Sequence, residues 1–320
     1  MTRFAAGLGF ALLSACSFGL SGALGKGLMS SGWSPGAVVL LRIVVGGVVL
    51  LPPTLLALRG RWWLARRNAW LFVTYGAVAI AGCQLAYFTA IQHLQVGVAL
   101  LVEYTAPVAV VLWLWARHAQ RPRRLTVVGA VVCAVGLVLV LDVLTGGRLS
   151  VVGVLWALVA MLGAAAYFVL SAQEDNGLPA VALAGGGIVV GAAVLGLSGL
   201  VGLVPMRFAT DDPSYGDLSV PWWLPILLLG AVTAALAYWS GIAASRRLGS
   251  RLASFVALTE VLAALVFAWL LLGELPRAVQ FLGGACIVVG VVVVKLGERD
   301  TAGADAVEGA AAPVSGHPGA

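Results

Sequence analysis

The run Leu85-Ala-Tyr-Phe-Thr-Ala-Ile91 returns half a chain later as Leu236-Ala-Tyr-Trp-Ser-Gly-Ile242, and the correspondence continues beyond it. Pro107 falls opposite Val261, Gly129 opposite Gly283 and Gly136 opposite Gly290. Nearer the start, after a small shift of register, Gly9, Gly19 and Pro35 fall opposite Gly153, Gly163 and Pro179. The sequence reads as a duplication, so each half must fold into the same series of elements. If that series crosses a membrane an odd number of times, the second copy enters from the opposite side and the repeats are inverted.

Composition decides the solvent. Hydrophobic residues make up 61% of the chain, charged residues 10%, and the mean hydropathy is +1.04. Soluble domains carry about 25% charged residues, so lipid must cover this surface. A helix needs roughly 20 apolar residues to cross the hydrocarbon, and such stretches occur at about 5–28, 35–57, 69–92, 96–116, 125–142, 150–172, 179–204, 222–244, 252–272 and 277–296. They lack the short length and polar alternation of barrel strands, which leaves helices as the element that satisfies the backbone in lipid. The expected fold is an all-α integral membrane protein of ten transmembrane helices, arranged as two inverted five-helix repeats. The first repeat takes residues 1–145 and the second 146–297, and 298–320 form an Ala/Gly/Pro-rich, disordered cytoplasmic tail.

The arginines orient the chain. With the N-terminus cytoplasmic, Arg3, Arg59, Arg61, Arg66, Arg67, Arg117, Arg121, Arg123, Arg124, Arg246, Arg247, Arg251, Lys295 and Arg299 lie at inner ends or loops. Arg148, Arg207 and Arg277 lie outside, so the positive-inside rule puts both termini in the cytoplasm of a multi-pass protein of the inner membrane. The net charge of +6 then reads as a topology signal beside acidic lipid, and no nucleic-acid partner is expected. Phe4–Gly25 is longer than a signal-peptide core and is kept as the first span. Cys16, Cys83, Cys133 and Cys286 sit inside expected helices without metal-ligand spacing and read as small packing residues, so neither a metal nor another cofactor is expected. The sizeable loop is the outer Pro205–Val220 stretch, with Asp211, Asp212 and Asp217.

Three clusters carry a family resemblance: Gly-Leu-Ser-Gly-Ala-Leu-Gly-Lys26 followed by Pro35 and Arg42, Val102-Glu103-Tyr-Thr-Ala-Pro107, and Leu258-Thr-Glu260 followed by Leu271-Leu-Gly-Glu274. The chain resembles EamA-type members of the drug/metabolite transporter superfamily over nearly its whole length, and is most similar to the threonine/homoserine exporter branch. It departs from that branch at Val261, where proline is usual. The resemblance implies ten helices, an inverted five-plus-five repeat and efflux of small metabolites.

Ionisable groups inside spans mark candidate site residues, because a charge at the helix centre costs at least about 2.5–3.5 kcal/mol on insertion scales. Glu103 falls roughly 10 Å from the outer end of its span and Glu260 roughly 13 Å from the inner end of its own. The repeat sets Ala257 opposite Glu103. Glu260 lies three residues further on the same face, so both carboxylates are expected to face one central cavity. Arg42 falls about 9 Å below the outer surface and Lys26 near the outer end of the first span, where snorkelling competes with a cavity role. Tyr87 and its repeat partner Tyr238, with Gln84, Trp239, Tyr104 and Tyr167, are candidate cavity rings and donors, against the alternative of interfacial anchors.

Gly19-Leu20-Ser21-Gly22 spells an intramembrane serine-protease motif, but His93, His118 and His317 all lie outside the spans, so no membrane-embedded base is available to it. Close packing of small residues accounts for the stretch. Without nucleotide-binding motifs, the expectation is a non-enzymatic secondary transporter. It would export a small polar metabolite, with a neutral amino acid as the expected substrate, by proton coupling or exchange. The alternatives are a nucleotide-sugar or cationic-drug carrier of the same superfamily and, in a different class, a polytopic receptor or intramembrane enzyme. The expected partners are a small-molecule substrate and the bilayer, and a homodimer is compatible with the sequence. Cavity charge discriminates the substrates: uncompensated Arg or Lys suits anions, carboxylates with aromatic walls suit lipophilic cations, and both signs at separate ends suit zwitterions.

Overall fold

The computed structural model describes residues 3–106, 124–140, 150–171, 173 and 176–310. In chain order the helices are α1 (Arg3–Ser30), α2 (Pro35–Leu58), the short α3 (Trp62–Arg67), α4 (Ala69–Ile91), α5 (Val96–Glu103), α6 (Arg124–Val140), α7 (Val151–Ser171) and α8 (Ala180–Leu200). A two-residue hairpin follows, β1 (Ser214–Tyr215) against β2 (Leu218–Ser219), antiparallel with Ser214 opposite Ser219. Helix α9 then runs continuously over 223–257, followed by α10 (Thr259–Leu272) and α11 (Ala278–Ala310). Among the described residues, six helices are long and apolar enough to cross a membrane: Phe4–Ser30, Pro35–Leu58, Ala69–Ile91, Val151–Ser171, Ala180–Leu200 and Trp223–Leu248. Shorter apolar helices accompany them. The protein is an all-α, multi-pass membrane protein.

Local chemistry explains several boundaries. Pro35 opens α2 at N1, where no amide donor is missed, and the Ser34 hydroxyl accepts from the Ala37 amide at 3.3 Å. α10 ends on left-handed Gly273 (φ 65°), with the Gly273 and Glu274 amides returning to the Trp269 and Ala268 carbonyls. The backbone of α4 widens to a π-helix over Tyr75–Gly82, and that of α9 does so over Ala231–Leu236, overlapping positions of the repeat. Such bulges are frequent at functional sites.

The packing crosses between halves. α1 lies against α9 and α10, while α7, its counterpart, lies against α4 and α5. α6 pairs with α11 through glycine. A β-carbon on Gly129 would stand 2.7 Å from the Gly290 carbonyl oxygen, and one on Gly136 would stand 2.7 Å from that of Gly283. Only hydrogen lets the backbones approach so closely. Gly19, in the stretch that spelled a protease motif, packs the same way on Ala263 and Ala264 of α10.

Two expected boundaries change, and the expected outer loop gains definition. The loop placed at 245–251 is helical, because Ala243, Ala244, Arg246, Arg247 and Leu248 are good or tolerant helix formers with no proline to stop them. Helix α11 likewise continues through Ala310, past residue 298 where the disordered tail was placed, over an alanine-containing stretch. The Pro205–Val220 loop is an ordered, docked hairpin. The Ser34 hydroxyl donates to the Pro205 carbonyl at 2.7 Å and the Ser34 amide to the Arg207 carbonyl at 3.1 Å, and the Trp33 ring meets Phe208 and Trp222 at 5.7 and 5.8 Å. Pro107, Arg117, His118, Arg121, Arg123, Arg148 and His317, and the rest of the expected span 96–116 beyond Ala106, lie outside the described residues.

Candidate functional site

Both halves break a helix beside a carboxylate. α5 ends at Glu103 and turns through Tyr104 and Thr105, and the chain is interrupted at Leu258, two residues before Glu260. The breaks correspond under the repeat. The Thr105 hydroxyl donates to the Val102 carbonyl at 2.7 Å, and the Thr259 hydroxyl to the Val256 carbonyl at 2.6 Å. These bonds draw local backbone away from regular helix geometry. In the first half Glu103 and Ala106 turn to the centre; in the second Ala257 and Glu260 do, so carboxylate and alanine exchange places across the repeat.

All four line one cavity of about 820 Å³, counting the space at its mouth. It extends from Phe18, Gln84 and Tyr238 in the middle of the bundle toward Ala11 and Ser245, with Tyr104 and Tyr167 on its walls. The carboxylates are only partly screened. Glu260 accepts from the Tyr104 hydroxyl at 2.7 Å, and Glu103 receives the Cys83 thiol at 3.6 Å. The aromatic wall is continuous: Phe18 meets Tyr238 edge-on at 4.9 Å, and Tyr238 meets Tyr167 at 5.8 Å. Of the residues singled out in the sequence, Glu103, Glu260, Gln84, Tyr104, Tyr167 and Tyr238 come together here.

Four others do not. Arg42 has no exposed surface and lies behind the cavity wall. Its guanidinium donates to the Gln84 side-chain oxygen and, at 2.6 Å, to the Thr233 carbonyl, and it stands 5.6 Å from the centre of the Phe88 ring. Gln84 in turn donates to the Tyr238 hydroxyl at 3.3 Å, so one amide separates Arg42 from the cavity. Among the described residues the Arg42 Nε has no hydrogen-bond partner. Tyr87, buried beside Phe88, packs on Gly22. Trp239 turns away to meet Phe10 edge-on at 5.4 Å. Lys26 sits beyond the cavity, ion-paired with Glu274. The helical period explains these outcomes, since neighbours in sequence such as Tyr238 and Trp239 point about 100° apart.

Sequence reading missed Cys83, Ser14 and Ser245, which also line the cavity. Cys83 read as packing because a lone thiol carries no spacing signal, although it is one residue from Gln84. Ser245 was assigned to a loop.

The sequence matches one known family in two segments. The model for the EamA-like transporter family matches residues 5–142 and 151–296. The chain belongs to the EamA-like transporter family. It is 25% identical over 309 residues to the Uncharacterized transporter YwfM of Bacillus subtilis (strain 168), a match covering 93% of this chain and 96% of that protein. A solved crystal structure, described only as that of a protein, shares the fold with a TM-score of 0.62 at 21% identity, over 92% of this chain and 97% of its own. Membership makes this a membrane transporter.

Proposed function

We propose that the chain is a proton-coupled secondary transporter that exports small organic molecules bearing an ammonium group through the cavity between its halves. The observation carrying this reading is the cavity's charge: Glu103 and Glu260 line it among aromatic rings, while Arg42 and Lys26 stand outside. Carboxylates supply the counter-charge, and ring faces attract cations, most strongly when water is excluded. The same carboxylates are the groups that can take up protons, so proton and ammonium compete for them and exchange follows.

The neutral amino acid is the second reading, favoured by one observation: Arg42 lies one side chain behind the wall with an unpartnered Nε. If Gln84 swings aside, the cavity gains a cation for a substrate carboxylate.

The architecture we propose is ten helices in two inverted repeats, in the inner membrane with both termini cytoplasmic. The two-segment family match supports the duplication. The reciprocal glycine contacts support the inversion: Gly129 meets Gly290 and Gly136 meets Gly283, whereas the repeat equates Gly129 with Gly283 and Gly136 with Gly290. Reciprocity of that kind is what a two-fold axis between copies produces. Purified protein in liposomes, offered labelled organic cations, amino acids and nucleotide sugars against a pH gradient, tests the function. Exchange confined to nucleotide sugars would overturn it. A C-terminal reporter active only in the periplasm would overturn the orientation.

A further inference from the structure

The cavity extends from mid-bundle toward the Ala11 and Ser245 side, and the opposite side is filled by an assembly that the transport reading leaves without a task. Lys26, at the far end of α1, is ion-paired with Glu274 at 2.5 Å and donates to the Leu94 carbonyl at 2.9 Å. The other oxygen of Glu274 accepts the Val96 amide, the first of α5, at 3.0 Å. One carboxylate thus ties α1 to the start of α5, and it is held there by the left-handed Gly273 turn that ends α10. Beside this tie the hairpin inserts a single ring. Tyr215 is buried, its hydroxyl donates to the Leu24 carbonyl of α1 at 2.7 Å, and its ring rests on Gly27, where any side chain would collide with it. Gly216 (φ 60°) makes the turn that aims the ring inward. Burial also pushes the Tyr215 hydroxyl above its ordinary range, which keeps it a donor.

The contacts join elements that must separate if the pathway is to open at this end. α1 carries Phe18 and Ser14 in the cavity wall and both latch points, Leu24 and Lys26, further along. α5 and α10 carry Glu103 and Glu260. A tie between the far ends of these helices therefore couples the state of the carboxylate site to closure. We propose that the Lys26–Glu274 ion pair and the Tyr215 stopper together form the gate at the hairpin end, closed in this structure, and that both must release for the cavity to open there. The proposal rests on the transport reading and adds residues that act by positioning helices rather than by touching substrate.

The test uses native Cys83, which lines the cavity, as reporter. In full-length protein with Cys16, Cys133 and Cys286 replaced by alanine, a membrane-impermeant maleimide is applied to liposomes from one side at a time. The unaltered gate should admit label only from the Ser245 side. Lys26→Ala and Glu274→Gln should each raise labelling from the hairpin side by up to about fivefold, and the exchange Lys26→Glu with Glu274→Lys should return it to the starting level. Tyr215→Phe, which keeps the ring and loses only the hydroxyl, should raise it by a few-fold, and it serves as the decisive variant if the charge variants fail to fold. Hairpin-side protection unchanged in Tyr215→Phe and in the folded single charge variants would overturn the gate, as would a charge exchange that labels as fast as the singles. The readout involves no substrate. A gate that opens as expected in a protein that carries no cation would therefore remove the proposed substrate and leave the gate standing.

Discussion

Toward Ser245, Glu103 and Glu260 face open space and lean on single polar neighbours, whereas toward the hairpin Arg42 is sealed behind Gln84 and Lys26 is locked to Glu274. The cavity holds carboxylates and the sealed end holds cations with fixed partners, Glu274 among them. Charges that remain available can exchange partners, as transport requires. Arg42, fully enclosed with fixed partners, anchors its helix because removing it leaves buried groups unsatisfied, whereas the partly exposed Lys26–Glu274 pair ties helix ends at little cost to release.

The largest effect that separates the two regions is expected from Glu260→Gln, which keeps shape and removes charge. Transport driven by a pH gradient should fall at least about a hundredfold, equivalent to roughly 2.7 kcal/mol, while melting in detergent stays near that of the parent and exchange without a gradient persists. Full gradient-driven transport in this variant would move the proton role elsewhere.

Next is stability at the sealed end. Arg42→Met strips partners from the Gln84 oxygen and the Thr233 carbonyl, a loss of about 2–6 kcal/mol taken at 1–3 kcal/mol per buried group. A melting point lowered by several degrees would show it. Lys26→Met should melt nearly as the parent does, since partly exposed pairs contribute about 0–1 kcal/mol. Equal losses in the two variants would erase the distinction between a buried anchor and a releasable latch.

Smaller still is Tyr104→Phe, which deletes the hydroxyl that Glu260 accepts. Half-saturation for substrate should rise by up to about tenfold, in line with a charge-assisted hydrogen bond of about 1.5 kcal/mol. The smallest effects belong to Trp239 and to alkaline pH at the gate. Trp239→Leu, facing Phe10 and not the cavity, should leave transport within about twofold. Because the folded value for Tyr215 is raised, its contribution is fully present below the ordinary tyrosine value near 10 and fades only as pH climbs beyond it. Hairpin-side labelling should therefore be flat from pH 6 to 9 once corrected for thiol reactivity.

Hydropathy made the apolar helices legible, since lipid leaves few backbone solutions, and the repeated Leu-Ala-Tyr motif pointed to the two segments that match one family model. Six of ten proposed site residues reached the cavity because intramembrane carboxylates and their near neighbours share a helix face. The rest failed for physical reasons. Depth along a helix says nothing about azimuth, so Trp239 was grouped with Tyr238. A cation near a helix end has a choice of carbonyls and carboxylates, and Lys26 found Leu94 and Glu274. The hairpin was invisible as structure because its order comes from Ser34 and Trp33, far away in sequence.

The most direct test of the carboxylate cavity uses a permanently charged ammonium compound, which cannot cross lipid as a neutral base. Labelled choline should accumulate in acid-loaded proteoliposomes, accumulation should collapse with the gradient, and Glu260→Gln should reduce it to the protein-free level. Choline excluded under all conditions, with a nucleotide sugar or another anion carried in its place, would contradict a cation-selective site built on Glu103 and Glu260.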